Sequence, residues 1–208
     1  MQSILFDVDG VLIHGYTGQT ERRRRWDQHI KADLGIDSEV FTQTFIRGVF
    51  EKEVLTGRKA LLEALEEVLP DVGYRGSPLT VASYWINRDS HLNYQLLDLV
   101  RRLRHHKDVR LYVATNQEHM RAFYLWNKLG LENLFDDIFY AARLGVLKPD
   151  PLFYSRVMDI IGPQIKQPII IDDSLSVVRT AEEFGWQGIY YTNIEDCRKS
   201  PLLADLLA

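Results

Sequence analysis

The chain has 208 residues, 46% of them hydrophobic and 26% charged, enough apolar material for one core of ordinary size or for a domain carrying an insertion. A formal net charge of -4 argues against a long nucleic-acid footprint or a broad contact with anionic membrane. Cys197 is the only cysteine, which excludes an intrachain disulfide and a thiolate metal cluster.

The first apolar run, SILFD from Ser3, reads as a strand that ends in an acid. It lacks the basic start and long apolar stretch of a secretory signal, and no later run is long enough for a bilayer span. A soluble cytoplasmic enzyme or binding domain, with no membrane and no nucleic-acid partner, is the expectation. From about Gly15 to Ile86 the spacing is helical and no strand stands out. Trp26, Ile30 and Leu34 recur every four residues, as do Phe41, Phe45 and Val49, while Leu61, Leu62, Leu65, Val68 and Leu69 form a further stripe. Thr56 and Ser77 are expected N-caps, the second followed by Pro78 at a first helical position. The charge run Arg22 to Arg25 reads as a solvated helical face, and recognition of an anion is the sharper alternative.

Beyond residue 86 strands and helices alternate. Leu92, Leu96, Leu99, Val100 and Leu103 mark a helical face, followed by the strand-like runs VRLYVATN and DDIFYAA. A second face, Phe153, Val157, Ile160 and Ile161, closes at Gly162, and the runs QPIIIDD and QGIYYTN flank a helix closed at Gly185. This alternation predicts an α/β fold with a parallel sheet covered on both faces, whose ligands sit at the carboxyl ends of the strands. The predicted division is a core of residues 1–14 and 87–208 with an all-helical insertion at 15–86.

The strand ends carry the chemistry. Residues i and i+2 of a strand share a face, so Asp7 and Asp9 converge where the first strand ends, and Gly10 lets the backbone turn close to a ligand. Two such charges at about 4 Å repel by roughly 4 kcal/mol at an effective dielectric of ~20. Asp-Gly is also a hairpin turn, with ILF and VLI as its arms. LYVATN delivers Thr115 and Asn116, LGVLKPDP delivers Lys148 ahead of Pro149, and IIIDDS delivers Asp172 and Asp173 at the start of a helix. Each has a plain reading alone: Thr115, Asp173 or Ser174 as a helix cap, Lys148 as a surface residue. Together, each at a strand or loop end, they make one pocket.

With DVDGV, ATN, KPDP and DDS in this order and spacing, nearly the whole chain resembles the haloacid dehalogenase-like hydrolases that carry a helical cap inserted after the first strand. The resemblance implies a Rossmann-like core closed by the cap. It implies Asp7 as nucleophile, Asp9 as general acid and base, and Thr115 and Lys148 as phosphate holders. It also implies a magnesium ion held by Asp7, by Asp173, by the main-chain carbonyl of Asp9 and, through water, by Asp172. Asn116, Gly10 and His14, the last in the linker to the cap, are candidate substrate contacts.

The residue chemistry agrees. Converging carboxylates suit a hard cation with oxygen ligands, and a carboxylate that attacks phosphorus splits one difficult step into two. Asp9, crowded by other carboxylates, is expected to protonate more easily than a free aspartate, with Lys148 and the metal opposing. The expected activity is a magnesium-dependent phosphatase acting on a small phosphorylated metabolite through an aspartyl-phosphate. A sugar-phosphate phosphomutase and a non-catalytic binding protein of the same fold are the alternatives. A dehalogenase is disfavoured, because halide leaves without a proton. The linker IHGYTGQTERRRRW departs from the acidic, proline-containing segment associated with phosphoglycolate phosphatases and sugar-phosphate mutases. His105 and His106 read as solvated residues at a helix end, His119 as a residue near the pocket edge, and Trp26 as packing within the cap.

Overall fold

The computed structural model describes residues 1–15, 17 and 23–207. Seven strands are present among them: β1 (Gln2–Phe6), β2 (Ile13–His14), β3 (His91–Leu92), β4 (Val109–Thr115), β5 (Asp137–Tyr140), β6 (Ile169–Asp172) and β7 (Gln187–Tyr190). Five form one parallel sheet in the order β5-β4-β1-β6-β7. β1 is central: Phe6 is paired with Val113 of β4 on one side and with Ile171 of β6 on the other. The chain therefore reverses its direction of travel across the sheet beside β1, which opens a crevice at the carboxyl ends of β1, β4 and β6.

Both faces of the sheet are buried, so its central strands are nearly continuous apolar runs. On one face Ile4, Phe6, Leu111, Val113, Ile169 and Ile171 pack with Leu96, Val100 and Leu103 of the helix Tyr94–Arg104. On the other, Leu5, Ala114 and Ile170 pack with Phe153 and Val157 of the helix Pro151–Ile161 and with Val177 of the helix Leu175–Glu183. Gly162 and Gly185 follow the last two helices at φ 72 and 95, the backbone that a side chain disfavours.

The segment between β2 and β3 is helical and has an apolar cluster of its own, built on Ile30, Phe41, Phe45, Leu65, Val81 and Trp85. Trp26 stacks on Trp85 with ring centroids 5.0 Å apart. β2 and β3 pair antiparallel, Ile13 with Leu92 and His14 with His91, so the chain leaves for this segment and returns from it through one short ribbon. Among the described residues, no helix is long and apolar enough to cross a membrane.

Several local expectations are corrected. ILF and VLI are not hairpin arms, because β1 is flanked by β4 and β6 while Ile13 pairs with Leu92. The Asp-Gly sequence instead lies in a compact turn in which the Ile13 amide donates to Val8 O at 2.8 Å. Ser77 caps the helix Pro78–Arg88 by accepting from the Leu79 amide, but Thr56 caps nothing. Its hydroxyl donates to Glu53 O, Gly57 turns the chain at φ 73, and the next helix, Leu61–Val68, has Ala60 at its N-cap position. Leu62 and Ile160 point to solvent instead of joining their stripes. Arg23, Arg24 and Arg25 are exposed on irregular chain instead of a helix, and Arg22 lies outside the described residues. Trp26 precedes the first helix, Ile30–Leu34, yet packs against the insertion's cluster as expected.

Candidate active site

β1 ends at Phe6, and Asp7 continues its line for one residue through the amide it donates to Ile171 O at 2.9 Å. Asp9 lies beyond, in the turn, so strand alternation does not set the two acids side by side. They face different cations. Lys148 Nζ donates to Asp7 Oδ1 at 2.9 Å, to Asp172 Oδ2 at 2.6 Å and to Ala114 O at 2.7 Å. Asp9 Oδ1 accepts from Arg121 Nη2 at 2.8 Å, and its Oδ2 accepts from Gln117 Nε2 at 2.5 Å.

Lys148 is buried, and Asn116 sets its place. The Asn116 amide donates to Lys148 O at 2.9 Å and its oxygen accepts from the Lys148 amide at 2.8 Å. Asn116, expected to face the substrate, thus uses both ends of its side chain to hold the lysine loop against the end of β4. Thr115 closes β4 next to Ala114 and is buried. His14 stands exposed on β2. Gly10 has φ 80, and a Cβ there would collide with the Asp173 carboxylate and lie 3.1 Å from Thr17 Cβ. The close approach that requires this glycine is therefore to Asp173, whose Oδ2 also accepts from the Thr17 hydroxyl.

Asp172 ends β6, with Oδ1 accepting from the Ser174 amide at 2.8 Å. Asp7, Asp172 and Asp173 each present one carboxylate oxygen within 4.8 Å of the others. Three hard oxygen donors at this spacing fit a small divalent cation. The Asp9 carboxylate is outside this trio, held by Arg121 and Gln117, which leaves its main-chain carbonyl for such a role.

Burial pushes Asp9 up to about 7; Arg121 and Gln117 pull it down, while Asp89 and Asp7 push it further up. The opposing cation is Arg121, not the expected Lys148. Burial likewise pushes Asp172 up to about 7, against Lys148 and with Asp7. Burial alone would lower Lys148, but Asp172 and Asp7 outweigh it and hold the ammonium above its ordinary range. One ammonium facing two buried carboxylates leaves an excess of negative charge, which favours a proton on Asp172 when no cation is bound.

A pH dependence follows for the metal-free protein. Folded Asp9 and Asp172 keep protons up to about pH 7 that unfolded aspartates release near 4, so the native state binds more protons across that window. Their contribution to stability then falls as pH rises from about 4 to 7. Melting curves in chelator should show this fall flattened in Asp172→Asn, and added magnesium should raise the melting temperature at pH 7 by binding the folded state.

Gln117, Arg121 and Asp89 were not singled out from the sequence. Arg121 shares a helical face with Leu125, four residues on, and both are buried; an arginine on a buried face was the available signal. His119 lies at the core's surface beside Tyr140, with Nδ1 3.2 Å from its hydroxyl. Here the insertion touches the core: a Cβ on Gly57 would be 3.1 Å from His119 Nε2 and 2.8 Å from Ala142 O.

The sequence pattern of the family described as haloacid dehalogenase-like hydrolase matches residues 1–185. The chain belongs to this family. This haloacid dehalogenase-like hydrolase is 27% identical over 194 residues to the phosphorylated carbohydrates phosphatase of Thermotoga maritima, covering 91% of this chain and 84% of that one. It is also 27% identical over 205 residues to the sesquiterpene phosphatase astK of Aspergillus oryzae, covering 92% and 90%. A haloacid dehalogenase family enzyme of Bacteroides thetaiotaomicron has the same fold, with TM-score 0.73 and 21% identity over 92% of this chain and 93% of its own. Another structure of that enzyme is a complex with magnesium and inorganic phosphate.

Proposed function

We propose that this hydrolase is a magnesium-dependent phosphatase of small phosphorylated metabolites that works through an aspartyl-phosphate. The observation that carries the reading is the separation of the two acids. Asp7 lies beside a buried ammonium and two further carboxylates, whereas Asp9 is held by its own cation and has a raised proton affinity. The names of the two phosphatase relatives and the magnesium–phosphate complex of the structural neighbour support it.

In the proposed reaction a carboxylate oxygen of Asp7 forms a bond to phosphorus as the bond to the ester oxygen breaks, and Asp9 gives its proton to that departing oxygen. A water molecule then attacks phosphorus and yields a proton to Asp9. The phosphorus–Asp7 bond breaks, releasing inorganic phosphate and restoring the Asp7 carboxylate. Lys148 pairs with Asp7 and lies where a transferring oxygen needs positive charge, and the Thr115 hydroxyl holds a second phosphate oxygen. Asp7 and Asp173, with the Asp9 carbonyl and Asp172 through water, would hold magnesium. When bound, that ion supplies the charge that lets a phosphate dianion approach these carboxylates. Residues 15–86 act as the cap, closing on the core where Gly57 meets His119 and Ala142.

Hydrolysis of p-nitrophenyl phosphate with magnesium and with chelator tests the reading, followed by a panel of metabolite phosphates. Turnover that needs magnesium is expected. A silent panel together with no magnesium binding by calorimetry would overturn it in favour of a non-catalytic binding protein.

A further inference from the structure

We infer that Arg121 is the positioning residue of Asp9, and that it ties the Asp9 carboxylate to the segment through which the helical insertion rejoins the sheet. The inference rests on the phosphatase reading and deepens it. The Arg121 guanidinium is 5% exposed and lies between two acids. Nη2 donates to Asp9 Oδ1 at 2.8 Å and to the Asp89 carbonyl at 2.8 Å, and Nη1 donates to Asp89 Oδ2 at 2.9 Å. With Gln117 on Asp9 Oδ2, both oxygens of that carboxylate are fixed.

Asp89 lies just past the insertion, on the way back to the sheet. It follows the helix Pro78–Arg88, and its Oδ2 also accepts from Trp85 Nε1 at 3.3 Å, the indole that stacks on Trp26 in the insertion's own cluster. The outgoing strand meets the same residue, since a Cβ on Gly15 would be 2.6 Å from Asp89 Oδ1. Both ends of the insertion thus converge on Asp89. A continuous chain of contacts runs from the insertion's aromatic cluster through Trp85, Asp89 and Arg121 to Asp9.

Stability alone does not account for this arrangement. Buried ion pairs of this kind are often matched or exceeded by apolar residues of similar volume. This one is also incompletely satisfied, because Asp89 Oδ1 and Arg121 Nε are buried without hydrogen-bond partners among the described residues. What it achieves is orientation. A carboxylate on a turn samples several rotamers, and a guanidinium that Asp89 holds through both of its terminal nitrogens selects one. A general acid must lie within hydrogen-bond reach of the leaving oxygen, so a selected rotamer is a kinetic asset.

The test is kcat/KM, which reports only the steps up to release of the leaving group, for phenyl phosphate and 2,4-dinitrophenyl phosphate. The first leaving oxygen needs a proton and the second does not. Arg121→Gln should lower kcat/KM for phenyl phosphate by about 100-fold, in the range of lost general-acid catalysis, and for the dinitrophenyl ester by less than about 3-fold. Arg121→Lys, which keeps charge but not the two terminal nitrogens, should fall between. Calorimetric magnesium affinity should stay at the wild-type value in both. Asp9→Asn is the reference: if it fails to discriminate between the esters, the role given to Asp9 is wrong. If Asp9→Asn discriminates while Arg121→Gln lowers both esters equally or neither, this inference is overturned. Should Arg121→Gln not fold, Asp89→Asn decides in the same way, by a smaller loss confined to phenyl phosphate or by an equal effect on both.

Discussion

Asp7→Asn is expected to lose turnover by on the order of a thousandfold or more while keeping its fold. The amide has the shape of the carboxylate but cannot form an acyl-phosphate. The Asp7 main chain remains tied to Ile171, and Lys148 retains Asp172 and the Ala114 carbonyl, so nothing buried is stranded. Removing one charge from a cluster with excess negative charge favours the metal-free fold, so the melting temperature should hold or rise in chelator. Asp9→Asn should behave differently. It keeps the nucleophile, so 2,4-dinitrophenyl phosphate should still phosphorylate it, and the adduct should accumulate because water lacks its base. Intact mass spectrometry of both variants after incubation with that ester separates the roles. Phosphorylated Asp7→Asn, or turnover at the wild-type rate, would assign the nucleophile elsewhere.

Lys148→Met should be the most destabilising single change in the site. The lysine side chain is 2% exposed and Asp172 only 1%, so the variant leaves two carboxylates facing each other without a cation and out of water. Breaking a buried pair from one side costs about 3–5 kcal/mol. The sign of the pH dependence is distinctive. Without the ammonium, Asp172 binds its proton more tightly still, so the variant must keep above pH 7 a proton that the wild type releases there, and the penalty grows between pH 5 and pH 8. Urea unfolding in chelator should show a much larger loss at pH 8 than at pH 5. Equal losses would mean that the lysine contributes packing and not charge. Activity should be lost at either pH, because the same ammonium faces Asp7.

The main architecture was legible because a parallel sheet leaves a plain record in sequence. Strands buried on both faces must be apolar throughout, so β1, β4 and β6 stand out, and the polar residues that end them fall in the crevice by topology. Asp172 and Asp173 were placed on that basis and Lys148 in a loop ahead of Pro149, and the structure brings all three together with Asp7. The misses share a physical cause. β2 and β3 have two residues each, too short for any period to register. Asn116 has an amide that serves a ligand or a backbone equally well, and only the fold shows which. The link between Asp9 and Arg121 joins a turn to a five-residue helix far away in the chain, and no local pattern encodes it.

The central position of β1 also sets the order in which the molecule can be made. β1 leaves the ribosome before both of its partners, which begin at Val109 and Ile169, so more than a hundred further residues must emerge before its first edge is paired. The helical insertion has mainly nearby contacts and an apolar cluster of its own, so it can condense early. During synthesis an apolar, unpaired strand is therefore tethered to an already compact helical unit. That interval is when the nascent chain is most exposed to aggregation and most in need of a chaperone.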